Sequence, residues 1–183
     1  MPVIGAPAYP WYCVVFGADL EQGDLLLDCP VYRIPPAAIR AEAECTVTVE
    51  RQNVIVLTQS CDLTVQQGKS KVDDVIMAAV YFKRELSETR PFHGNDGWEN
   101  ARKGKYPGYH VLNKCEMPDF GLDFMIVDFR RIFTLGVDAV RAFAAANGKG
   151  RVRLLPPYRE HLAQSFARFF MRIGLPVDIP AFK

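Results

Sequence analysis

Thr58, Gln59, Ser60, Cys61 and Asp62 follow directly on the apolar run Val54 to Leu57. A buried strand ending in compact polar side chains is a firm mount for chemistry, because the strand fixes the residues while the loop beyond stays open. Cys61 could act as a nucleophile if a neighbouring His or cation held it as thiolate. His110 is the best available base, with His93 and His161 as others. The alternative is that Cys61 fills a small core gap and Asp62 caps a turn. Cys61, Asp62, His110 and Cys115 could also form a mixed ligand set, but their spacing matches no zinc template and the chain has no CxxC pair. No metal and no cofactor is expected.

A second chemistry is suggested by cations near aromatic rings. Arg102, Lys103 and Lys105 lie beside Trp98 and Tyr106, and Arg130-Arg131 follow an apolar run. Lys149, Arg151 and Arg153 precede the last helical segment, which carries Arg159, Arg168 and Arg172. Neutralised phosphates and stacked bases are what a single-stranded nucleic acid needs. Bulk charge is silent on this point: 22 basic residues meet 21 acidic ones, for a net charge of +1. The argument has to be local.

The elements that must position these residues can be read from patterning. With 183 residues, 49% of them hydrophobic and 23% charged, the chain suits one globular domain and excludes collagen, coiled coil and wholesale disorder. Five cysteines, an odd number, fit reduced thiols. No export signal or membrane-length apolar run is visible, so the expectation is a cytoplasmic protein with no membrane contact. Strands are expected at 11–16, 25–28, 46–50, 54–57, 74–81, 110–112 and 124–129, with Cys29-Pro30 breaking the second. Residues 83–109 are charged and rich in Gly and Pro, which marks a long insertion with a short helix near 97–103. Helices are expected at 137–146 and from Pro157 to Ile173. Leu162, Phe166, Phe169, Phe170 and Ile173 form an apolar stripe on the second, while Gln164, Arg168 and Arg172 form another.

Four segments and their order carry a resemblance. They are QGDLLLD (Gln22 to Asp28), RQNVIVLTQS (Arg51 to Ser60), DDVIMAAV (Asp73 to Val80) and MIVDFRRIFTLGVDAV (Met125 to Val140), followed by the closing helix. The series resembles the MazF/PemK (Kid/CcdB-type) toxin fold, an SH3-like barrel. That family places an Arg just before its second apolar strand, near Arg51. It places a Thr or Ser where this chain has Asp73-Asp74, and it lacks so long an insertion. The segments VLTQSCDL and PYREHLAQSFARFFMRIGLP are similar to those of uncharacterised bacterial proteins.

The expectation is thus a mainly β, α+β chain: a single domain, 1–183, built as a small SH3-like barrel with a long inserted region and a C-terminal amphipathic helix. The resemblance implies RNA or single-stranded nucleic acid as partner, a homodimer, and a toxin–antitoxin or antiphage setting. It further implies RNA cleavage without metal. Arg51 would stabilise the phosphorane, and Thr58, Ser60, Asp62 or His110 would move the 2′-hydroxyl proton. The competing expectations are a non-catalytic module that binds another protein, and a thiol enzyme built on Cys61.

Overall fold

A computed structural model describes residues 9–34, 47–66, 68, 70–86 and 91–171. Strands β1 (Tyr12–Val15), β2 (Leu25–Arg33) and β3 (Thr48–Val56) are followed by α1 (Ser60–Leu63) and β4 (Asp74–Phe82). The segment after β4 supplies α2 (Lys83–Leu86) and α3 (Gly94–Arg102), then β5 (Tyr109–Leu112). The hairpin β6 (Cys115–Met117) and β7 (Phe120–Leu122) leads to the long β8 (Met125–Gly136). The chain continues through α4 (Val137–Ala146), β9 (Arg151–Leu154) and α5 (Tyr158–Phe170). This is an α+β architecture around a five-stranded antiparallel sheet of order β2-β3-β4-β8-β5. No helix among the described residues is long and apolar enough to cross a membrane.

Alternation along the central strands sends side chains to two separate cores. Ile55, Val80, Val127 and Phe129 lie on one face with Leu162 of α5, and Val54, Val56, Val75 and Met77 lie on the other with Val140 of α4. This double burial is why VIVL and DVIMAAV read as continuous apolar runs. The β1–β9 ribbon joins the sheet at the start of β2, through an Asp24–Arg153 bridge and a Leu154 N–H donated to Gly23 O at 3.0 Å.

Three expectations change. Cys29-Pro30 does not end β2. Proline is tolerated because β2 is the edge of the five-stranded sheet, and a bulge at Leu27-Asp28 absorbs the irregularity with Asp28 at φ 55°. The two strands expected at 46–50 and 54–57 are one strand, β3, with Arg51 to Asn53 inside it (Thr46 lies outside the described residues). Arg130-Arg131 do not follow a strand. They sit inside β8, where the pairing with β4 jumps from Ala78↔Ile132 to Ala79↔Asp128.

The described part of the segment between β4 and β8 includes a folded annexe. Phe92 and Ala101 are buried with Ile126 of β8, and Trp98, Tyr106 and Tyr109 pack around them. Gly97 makes this approach possible: a Cβ there would stand 2.2 Å from Pro91 O.

Candidate functional site

A cleft of about 890 Å³ opens between the end of α3, the free edge of β5 and the first turns of α5. Its size falls within the usual range of ligand pockets. Each wall has a local cause. Gly104, at φ 72°, turns the chain out of α3, and Lys105 N–H closes the turn on Asn100 O at 2.9 Å. β5 bonds only to β8, so its outer side is left to the cleft. α5 is held at its base by fully buried Leu162, by the Trp11–Tyr158 stack (centroids 3.6 Å apart, planes at 10°) and by Arg159, which donates to Glu21 at 2.8 Å.

His110 and His161 meet in this cleft, edge to face, with ring centroids 4.9 Å apart. His110 is buried beside Phe129; burial, and then His161, push its pKa down to about 3, so the ring is neutral at neutral pH. His161 is exposed and open to a ligand. Arg102, Lys103 and Arg168 also line the cleft, and no Asp or Glu does. Arg102 and Lys103 share Glu99, at 2.7 and 3.1 Å, while Arg168 projects from α5 into the solvent. Such a lining can bind an anion, stack a flat ring on Trp11 or Tyr158, and exchange a proton at His161.

The residues expected to share one catalytic site do not all meet. His110 and Arg102, Lys103 and Arg168 line the cleft; Arg51, Thr58, Ser60, Cys61 and Asp62 do not. Arg51 on β3 is three strands from β5, about 14 Å across the sheet. Its guanidinium donates to Asp28 O at 3.1 Å, supporting the β2 bulge beside Asn53, whose Oδ1 accepts Asp28 N–H at 2.9 Å. Thr58 Oγ1 accepts Ile76 N–H at 2.7 Å, and Ser60 Oγ accepts Gln22 N–H at 3.1 Å. Both hydroxyls therefore tie backbone together.

Cys61 is exposed, so it is not a core filler. Its thiol donates to Asp62 Oδ1 at 3.6 Å, and the shallow depression of about 380 Å³ around it holds Asp19 and Glu21 with no His, Lys or Arg in its lining. Cys115 is buried on β6, His110 is on β5, and Cys61 and Asp62 are on α1. Among the described residues no three His, Cys, Asp or Glu side chains gather as metal ligands.

Most of the expected basic surface is otherwise engaged. Trp98 is not a stacking platform: it packs on Phe92 at 5.3 Å under the Lys83 ammonium. Arg130 lies over Tyr109 and chelates Asp128, and Arg131 donates to Tyr81 at 2.6 Å. Arg151 and Arg153 are held by Asp24. Lys105 is exposed outside the cleft lining, and Arg172 lies outside the described residues.

The cleft also contains Tyr158 and Ser165, which sequence reasoning passed over. The signal was available: Tyr158, His161, Ser165 and Arg168 recur at three- and four-residue steps, one stripe of a helix. No protein-family model matches the chain, and no curated protein matches it in sequence.

Proposed function

We propose that this chain binds single-stranded RNA in the cleft between α3, β5 and α5, and cleaves it. The observation that carries the reading is the lining itself. Cations, a histidine pair and a stacked aromatic pair converge there, with Arg102 and Lys103 also paired to Glu99 behind the wall. In this reading the fold is an SH3-like barrel of the MazF/PemK kind. The joining of the β1–β9 ribbon to β2 supports a curled sheet, and the segment order supports the family.

Cleavage needs a base, a group that holds charge on the phosphorane, and a leaving group that takes a proton. His161 accepts the proton of the 2′-hydroxyl. The 2′-oxygen bonds to phosphorus, and the bond to the 5′-oxygen breaks, leaving a cyclic phosphate. The 5′-oxygen takes its proton from water. Arg168, about two turns along the same helical stripe as His161, offsets the charge that builds on the phosphoryl oxygens. Neutral His110 stands behind His161 and orients it. Arg51 and the segment Thr58 to Asp62 have structural roles in this mechanism.

Fluorescent single-stranded RNA and DNA, titrated with pure protein at low and moderate salt, test the reading, with product analysis in EDTA. RNA binding that weakens with salt, with cleavage lost in His161→Ala, is the expected result. No binding at low salt removes the proposal, because phosphate attraction is strongest there.

One observation favours a protein partner as a second reading. Tyr32 and Val49, on the ribbon formed by β2 and β3, and Ile34 just past the end of β2 are 55%, 55% and 64% exposed, and Tyr32 faces Val49 across the pair. An apolar ribbon left open to solvent suits a partner protein.

A further inference from the structure

The cleft has a wall made of backbone. β5 pairs with β8 in antiparallel register, Tyr109 opposite Asp128 and Val111 opposite Ile126. Phe129 N–H donates to Gly108 O at 2.9 Å, which makes Gly108 and Phe129 a hydrogen-bonded pair. Such pairs alternate along an antiparallel ladder. His110 and Leu112 therefore bond to β8, while Tyr109 and Val111 turn their main-chain groups the other way. That other way is the cleft, which Tyr109, His110, Val111 and Asn113 all line.

Tyr109 N–H is satisfied by Tyr106 O at 2.9 Å. Tyr109 C=O, Val111 N–H and Val111 C=O find no partner among the described residues. The result is a fixed row of acceptor, donor and acceptor, held rigid by the sheet. Main-chain groups are strong and obligatory hydrogen-bonding partners, so such a row asks for a ligand edge of matching polarity. The hydrogen-bonding edge of an unpaired nucleobase presents donors and acceptors in one plane. A base pair in a duplex has that edge occupied.

We infer that the outer edge of β5 reads the base of an unpaired nucleotide, with Tyr109 C=O and the N–H and C=O of Val111 as the reading groups. The inference rests on the RNA reading of the cleft. The choice of occupant follows from charge: Arg168 lines the cleft from α5 and Lys103, shared with Glu99, lines it from the end of α3, which offers phosphate a cation on either side of the base. The Trp11–Tyr158 pair gives the ring a surface to lie on.

A backbone donor can be removed by proline. Val111→Pro deletes the outward N–H and no ladder bond, because residue 111 is a non-bonded position of an edge strand. Its companion, Val111→Ala, removes the side chain and keeps the N–H. Each protein would be titrated with a single-stranded oligoribonucleotide and with the same oligomer made abasic at every position. Replacement of the Val111 amide by an ester gives the same deletion with the side chain kept, should proline disturb the strand; circular dichroism and thermal melting decide which variant is compared.

The expected result is about tenfold weaker binding of the base-bearing oligomer by the Val111→Pro or ester protein, a clearly smaller loss for Val111→Ala, which keeps the N–H, and wild-type affinity of the ester protein for the abasic oligomer. Equal binding of the base-bearing oligomer by wild type and the N–H deletion overturns the inference while leaving the RNA reading intact. So does an equal loss on both oligomers, which would point to phosphate contact. If wild type binds neither oligomer at low salt, the RNA reading itself is wrong and the inference falls with it. Displacement of the RNA by an uncharged extended peptide, with unchanged affinity in Val111→Ala, would reassign the edge to strand addition and also overturn it.

Discussion

Arg151 donates from Nε to Oδ2 of Asp24 at 2.8 Å, and both side chains are shut off from solvent. Asp24 Oδ1 also takes Arg153 at 2.5 Å, and Arg153 passes on to Glu21, which takes Arg159 at the base of α5. The chain of charges links the first turn of α5, and so the cleft, to the Gly23-Asp24 corner and to β9.

Asp24→Ala is expected to destabilise the fold by about 3–5 kcal/mol, because two guanidinium groups would be left in or near the interior without their carboxylate. Urea denaturation measures this. The double variant Asp24→Leu with Arg151→Met should recover a large part of the loss. If Asp24→Ala costs under about 1 kcal/mol, comparable to a surface ion pair, the network is not holding the corner.

Acid should weaken the protein through His110. Its folded-state pKa lies near 3, below the ordinary 6.5, so the unfolded chain binds a proton that the folded chain refuses. Its contribution to stability is complete above pH 6.5 and is lost as pH falls from there toward 3. The slope in that window is about 1.4 kcal/mol per pH unit from this one group. His110→Phe should flatten the profile between pH 6 and 4. An unchanged slope would mean that His110 protonates without opening the core.

Gly97→Ala should damage the annexe rather than the sheet. Its added methyl would meet Pro91 O at 2.2 Å and Phe92 Cα at 2.8 Å, both backbone-borne and slow to yield. A cost of about 1–3 kcal/mol is expected from overpacking. Hydrogen exchange should show faster opening of α3 with the strands of the central sheet unaffected.

Arg168→Ala should weaken RNA binding about equally for all sequences and reduce the salt dependence by about one phosphate contact. Arg51→Ala should leave RNA affinity unchanged, since its guanidinium serves the β2 bulge. A reversal of the two would move the site from the cleft to the opposite edge of the sheet.

Among Cys13, Cys29, Cys61 and Cys115, Cys61 should react first with iodoacetamide in the native protein, and buried Cys29 and Cys115 only after denaturation. Peptide mapping of the labelled protein checks the order. Cys61→Ser should leave RNA binding unchanged, because Cys61 lies outside the cleft lining.

Strand identity was legible because burial on two faces leaves continuous apolar runs, as in VIVL and DVIMAAV, and burial on one leaves alternation. Helix α5 was legible because Leu162 and Phe166 recur at helical spacing. The extent of β2 and β8 was not, since Pro30 and Arg130-Arg131 read as breaks where the sheet absorbs them in bulges. Of the site, His110, Arg102, Lys103 and Arg168 could be named from type and spacing. Trp98 could not be excluded, because an aromatic ring beside cations looks alike whether it stacks on a base or fills a small core.

What the sequence by itself determined was local: which segments form strands, that residues 83–109 are charged and rich in Gly and Pro, and that the last helix carries an apolar stripe through Leu162 and Phe166. These follow from periods of two and 3.6 and from the limits of Gly and Pro. Only the tertiary structure decided which charges are spent and which remain. Asp24 is 127 residues from Arg151, and His110 is 51 from His161, so no local pattern joins them. Their pairing depends on strand order and on how α5 lies against β5, which are properties of long-range packing.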